Sequence, residues 1–203
     1  MTSSPLQIGL TGGIGSGKTT VSLLFKSLGI PIYYADDAAK WLMQHDKNLI
    51  SAIKAHFGTT IYDQDNTLNR QALANIVFND ATALKQLESL VHPAVQQHGL
   101  DWVSQQQDVP YTLKEAALIF ETGSYQHLDK VITVFAPESL RIARVQARDR
   151  ASINAIKARI DNQLPDTKKC QLADYIIYND NKQLLIPQVV RIHEELCQLA
   201  NTR

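Results

Sequence analysis

Residues 9–20 read GLTGGIGSGKTT, and no other stretch limits the fold of this chain so sharply. Gly12, Gly13, Gly15 and Gly17 fall within six positions, although the 203 residues contain only nine glycines. Ordering glycine costs more backbone entropy than ordering any other residue. Such clustering therefore makes sense only where the main chain takes shapes that side chains would forbid. Gln7–Thr11 reads as a short buried strand. From Thr19 to Leu28 the apolar residues Val21, Leu24, Phe25 and Leu28 mark one face of a helix. The glycines thus occupy a strand-to-helix turn. Gly12, Gly17, Lys18 and Thr19 satisfy G-x-x-x-x-G-K-[ST], a phosphate-binding pattern that about one random chain in a hundred of this length would match. The N–H groups of such a turn and the positive end of the helix converge on an anion. The expected cradle for a nucleoside triphosphate is Gly13, Ile14, Gly15, Ser16, Gly17, Lys18, Thr19 and Thr20, with Lys18 reaching the β- and γ-phosphates and the Thr19 hydroxyl holding Mg²⁺.

Bulk properties fit a single globular domain with a sizeable core, since 44% of residues are hydrophobic and only seven are proline. Twenty basic and twenty acidic residues cancel, so no net field draws the protein to nucleic acid or an anionic membrane. With no apolar run of spanning length and no signal sequence, a cytoplasmic protein is expected, a monomer or a weak homo-oligomer. Cys170 and Cys197 lack metal spacing and read as reduced thiols in packing positions.

Strand-like runs recur at Gln7–Thr11, Pro31–Tyr34, Leu113–Phe120, Val131–Phe135 and Tyr175–Tyr178, with helical patterns between most of them. That alternation predicts an α/β fold with a five-stranded parallel sheet flanked by helices. The core comprises 5–36, 111–140 and 173–203. Residues 37–110 read as a helical insertion for the second substrate, with Gly58 and the His92-Pro93 pair as breaks. Residues 141–172 read as an arginine-bearing lid. Arg144 and Arg148 share one helix face, where they can clamp phosphoryl oxygens or simply meet solvent. Asp36 and Asp37 follow the second strand at the ligand-binding edge of such sheets, and Asp37 reads as a helix N-cap.

No Asp stands three residues before a glycine, and Asn181-Lys182 is followed by Gln183-Leu184, so the switch and base-reading elements of a GTPase are missing. The third strand is expected to end Leu118-Ile119-Phe120-Glu121, without the terminal Asp usual in motor and transport ATPases. A small-molecule kinase is favoured over a nucleotide-dependent interaction protein.

Taken together, GLTGGIGSGKTT, GIPIYYADDAAK, LESLVHPAV, ALIFETG, RVQARDR, ARIDNQLP and ADYIIYND resemble, in order, the motifs of the dephospho-CoA kinase family, which has the P-loop NTPase fold. The resemblance implies transfer of the γ-phosphoryl group of ATP to the ribose 3′-hydroxyl of dephospho-CoA, with Mg²⁺. Asp36 matches the second Asp of the family's D-A-D element and is implied as the group that receives the hydroxyl proton; Tyr34 replaces the first. Lys18 and Arg144 are implied as catalytic, and Arg144, Arg148 and Asn179 as ATP-binding. His92 and Glu121 join Asp36 as implied acceptor-binding residues. Glu115-Ala116-Ala117 stands where the family commonly has Asp-Ile-Pro. Arg159 and Gln163 match R-i-x-x-Q and read as lid scaffold. A nucleoside monophosphate kinase or another small-molecule kinase on the same scaffold is the alternative.

Overall fold

The sequence LQIGLT alternates in its burial preferences, and in a computed structural model describing residues 4–202 it forms β1 (Leu6–Thr11) at the centre of a sheet. Around it lie β2 (Ile32–Tyr34), β3 (Tyr111–Glu115), β4 (Lys130–Phe135) and β5 (Tyr175–Tyr178). The strand order is β2-β3-β1-β4-β5, and every pairing is parallel. β2 and β3 lie on one side of β1 and β4 and β5 on the other, so the loop leaving its carboxyl end sits at the switch point where ligands of open parallel sheets bind.

The two faces of the sheet bury different residues, as the period of two in strands requires. Leu6, Ile8 and Leu10 of β1 join Ile132 and Val134 of β4 in one cluster. Helix α1 (Lys18–Ser27) adds Val21 and Phe25 to it, and α9 (Leu185–Asn201) adds Val189, Ile192 and Leu196. Gly9 faces the other way. A Cβ there would lie 2.7 Å from Leu128 and 3.0 Å from Ile119, so the missing side chain is what lets the turn carrying Ile119 approach the strand.

The chain divides into two compact units, one made of the residues up to Tyr34 and from Val103 onward, the other of Ala35–Trp102. The first contains the sheet. It also carries α6 (Glu138–Asp149), α7 (Ile153–Asp161) and α8 (Asp166–Leu172). The second contains α2 (Ala35–His45), α3 (Lys47–Phe57), α4 (Arg70–Asn79) and most of α5 (Ala81–Ser104). Asp46 caps α3 by accepting the Leu49 N–H at 2.7 Å, and Asn69 caps α4 through the Ala72 N–H. Leu42, Leu49, Ile53, Ile61 and Leu73 are buried in this unit.

Three expectations need correction. The third strand stops at Glu115 rather than running to Phe120; Ala116 still donates to Leu10, but Thr122 then donates back to Leu118 and Gly123 to Phe120. Ile119 and Phe120 are buried inside that turn, and a short apolar run reads the same in a buried turn as in a strand. The His92-Pro93 pair does not break a helix, because α5 continues through Pro93. Asp37 is not a cap: α2 begins at Ala35, directly after β2, which puts Asp36 and Asp37 in its first turn. There their charge complements the helix dipole, and Asp37 pairs with Lys40 at 2.8 Å on the exposed surface.

The close approach at Gly9 gives a direct test. Gly9→Val should cost about 1–3 kcal/mol of unfolding free energy, measured by urea denaturation, because two branched carbons would enter space already held by Leu128 and Ile119.

Candidate active site

The loop that joins β1 to α1 is moulded against its own protein. At Gly12, with φ +150°, a Cβ would collide with the Val134 carbonyl at the end of β4. Gly17, with φ +96°, opens α1 in the left-handed region, and the Asn179 side-chain amide fills the place its Cβ would take. Other residues cannot adopt these conformations without strain. The Ser16 N–H closes the turn on the Gly13 carbonyl at 3.1 Å.

Four of the expected site residues meet here. Lys18 is half-buried, and its Nζ donates to the Gly12 carbonyl at 2.9 Å and the Gly13 carbonyl at 3.4 Å. Arg144, from α6, donates to the Asn179 carbonyl at 3.1 Å, to Asn181 Oδ1 at 2.9 Å and to the Ser16 carbonyl at 3.5 Å. Asn179 Nδ2 donates to the same Ser16 carbonyl at 2.8 Å. Thr19 Oγ1 lies 3.5 Å from Glu115 Oε1. The other carboxylate oxygen, Glu115 Oε2, is buried without a hydrogen-bond partner. Arg144 therefore ties the helix carrying it to the loop, to the segment after β5 and to Asn181 at once.

Other residues go elsewhere. Arg148 turns away to Asp149, with Nε at 2.6 Å. Glu121 lies in the turn after β3; its Oε1 accepts the Leu164 N–H at 2.8 Å and pairs with the fully buried Lys169 at 2.8 Å. Thr20 is exposed in the first turn of α1. Asp36 and His92 belong to the helical unit, and both are exposed. Asp36 stands two residues after Tyr34, which is in register with Glu115 across the β2–β3 pair. The main-chain N–H groups of Gly13 and Ile14 are already engaged. The Gly13 N–H faces the Asp166 carboxylate, and the Ile14 N–H donates to Gln163 Oε1 at 2.8 Å.

Glu115 ends β3, whereas a strand running from Leu113 to Phe120 would hold it mid-strand, away from the sheet edge. The group behind the loop is equally unmarked in the sequence. Arg141 is buried, pairs with Asp166 at 2.8 Å, and donates to the Ile14 carbonyl at 3.4 Å. Burial pushes the Asp166 carboxyl up, against the opposing pull of Arg141, Lys169, the Gly13 N–H and Lys18. Arg141 stood in the sequence as one member of an arginine-rich helix; Asp166 carried no local signal.

A loop of this build, opening a helix at a sheet's switch point with a lysine, an arginine and a carboxylate around it, suits a nucleotide polyphosphate. The family model for dephospho-CoA kinase matches residues 6–184. The chain belongs to the dephospho-CoA kinase family. A dephospho-CoA kinase from Salinibacter ruber is 40% identical over 180 residues, covering 85% of this chain and 88% of the relative. One from Bacteroides fragilis is 34% identical over 187 residues, covering 92% and 91%. The solved dephospho-CoA kinase from Campylobacter jejuni superposes with a TM-score of 0.70 at 29% identity, covering 95% of this chain and 97% of that one.

Arg144 joins three separate segments through a planar fork that lysine cannot reproduce. Arg144→Lys should weaken ATP binding about tenfold in a calorimetric titration.

Proposed function

We propose that the protein phosphorylates the ribose 3′-hydroxyl of dephospho-CoA with the γ-phosphoryl group of ATP, releasing ADP and CoA. The family match along residues 6–184 carries this reading, and the loop geometry supplies its chemistry. The triphosphate lies in the β1–α1 loop, held by the N–H groups that the protein has not already engaged and by Lys18. Arg144 and Lys18 offset negative charge on the phosphoryl oxygens as the bond to the bridging oxygen loosens. The 3′-oxygen forms the new bond to phosphorus while the bond to the β,γ-bridging oxygen breaks, and ADP leaves. Asp36, by its match to the family's D-A-D element, accepts the hydroxyl proton and passes it to solvent. His92 is proposed to touch the acceptor. Glu121 is proposed to face the acceptor as well, from a carboxylate whose Oε1 is anchored by Lys169 and the Leu164 N–H.

The residues present fit Mg²⁺. Glu115 Oε2 is an orphaned buried oxygen of a carboxylate whose other oxygen, Oε1, lies 3.5 Å from the Thr19 hydroxyl, and carboxylate and hydroxyl are both hard donors. Among the described residues no three His, Cys, Asp or Glu side chains form a cage that could hold a metal unaided, which matches an ion bound by one or two protein oxygens together with substrate phosphates. When bound, the ion would neutralise charge on the β- and γ-phosphates. Thr19 would hold it directly, and Glu115 would hold it directly or through water.

A coupled ADP-release assay with dephospho-CoA, nucleoside monophosphates and shikimate as acceptors tests the reading. Turnover with dephospho-CoA alone is expected, and a preference for another acceptor would remove it. Asp36→Asn should lower transfer about a hundredfold or more while ATP affinity stays near that of the parent. Glu115→Gln should raise the Mg²⁺ concentration needed for half-maximal rate several-fold, with little change at saturating Mg²⁺.

A further inference from the structure

The peptide group between Gly13 and Ile14 has its two polar edges bonded in different directions. Its carbonyl accepts the Ser16 N–H at 3.1 Å and the Lys18 ammonium at 3.4 Å. Its N–H donates to Gln163 Oε1 at 2.8 Å, a residue 149 positions further along the chain. A peptide group is planar and rigid, so whatever fixes the N–H direction fixes the carbonyl direction too. Local stiffness does not hold the plane, because Gly13 precedes it and Gly15 follows one residue later, and glycine turns freely. Orientation therefore comes from tertiary bonds. On the outer edge that bond is made by Gln163.

Gln163 is itself firmly seated. Its N–H donates to the Ile160 carbonyl at 2.9 Å, closing the end of α7. The next residue, Leu164, donates to Glu121, and Glu121 is anchored by the buried Lys169, which also donates to the Ala117 carbonyl at 3.3 Å. The chain of bonds thus runs from the turn after β3, through the turn between α7 and α8, to the rim of the phosphate loop. An amide suits this position: it offers an accepting oxygen without adding a second negative charge beside Asp166 and a site meant for an anion.

From this arrangement we infer that Gln163 is a positioning residue for phosphoryl transfer. Its side-chain oxygen sets the Gly13–Ile14 peptide plane, and the carbonyl of that plane, at 3.4 Å, aims the Lys18 ammonium together with the Gly12 carbonyl at 2.9 Å. The inference rests on the reading of the loop as the ATP site. It assigns the region after α7 a direct part in aligning the catalytic lysine, beyond covering the nucleotide.

The test is a double-mutant cycle on ATP affinity, measured by calorimetry on the full chain. Lys18→Ala must first weaken ATP binding to the parent protein; if it does not, the ATP reading itself fails. Gln163→Leu in the parent should then weaken ATP binding about tenfold, and Gln163→Met, which keeps length but lacks the amide oxygen, should do the same. In the Lys18→Ala background either change should have less than a twofold further effect, because Gln163 would act through the lysine. Should the losses instead be additive, or the Gln163 variants bind ATP as the parent does, the assignment is overturned while the ATP site stands. Gln163→Met keeps the test open if Gln163→Leu does not fold.

Discussion

A phosphate cradle must hold several main-chain N–H groups at one spot before any phosphate arrives, and like dipoles aimed together repel one another. Something in the protein must oppose that repulsion. In this chain the opposing contacts are specific. Gly12 lies under the Val134 carbonyl, Gly17 against Asn179, and the Gly13–Ile14 segment is held by Asp166, Gln163 and Arg141. Glycine is needed as much for the approach of these protein groups as for the approach of ATP. The loop thus has two faces: an inner one suited to an anion, and an outer one held by polar side chains from α6 to α8 and the segment after β5.

This division explains which arginine does what. Arg141 is buried and serves the loop from behind, paired with Asp166. Arg144 bridges the Ser16 carbonyl to Asn179 and Asn181, at the loop itself. Arg148, one turn further along α6, has left the loop for Asp149. The 3.6-residue period that groups these arginines in sequence therefore does not give them equal roles.

The fold was legible in the sequence because its signals are local and periodic. The alternation of β1, the glycine turn and the apolar stripe of α1 follow one another without a gap, and the five parallel strands could be placed from similar runs. The third strand was overdrawn because Ile119 and Phe120 are buried in a turn, where apolar content says nothing about backbone direction. Lys18, Thr19, Arg144 and Asn179, which lie together at the loop, are each marked in the sequence by a motif or a family likeness. The contacts of Glu115 and Asp166 and the bond of Gln163 to Ile14 have no such mark, since each joins residues about a hundred or more positions apart. Pro93 shows the opposite failure, a strong local breaker overridden by the surrounding helix.

The most direct measurement is residue-resolved amide hydrogen exchange on the nucleotide-free protein and on its complex with a non-hydrolysable ATP analogue and Mg²⁺. A loop built by its own protein predicts that the Gly13 and Ile14 amides are protected before any nucleotide is added, whereas Gly15, Gly17 and Lys18 gain protection only in the complex. Fast exchange at Gly13 and Ile14 in the free protein, with protection of the whole loop appearing together on binding, would contradict the account.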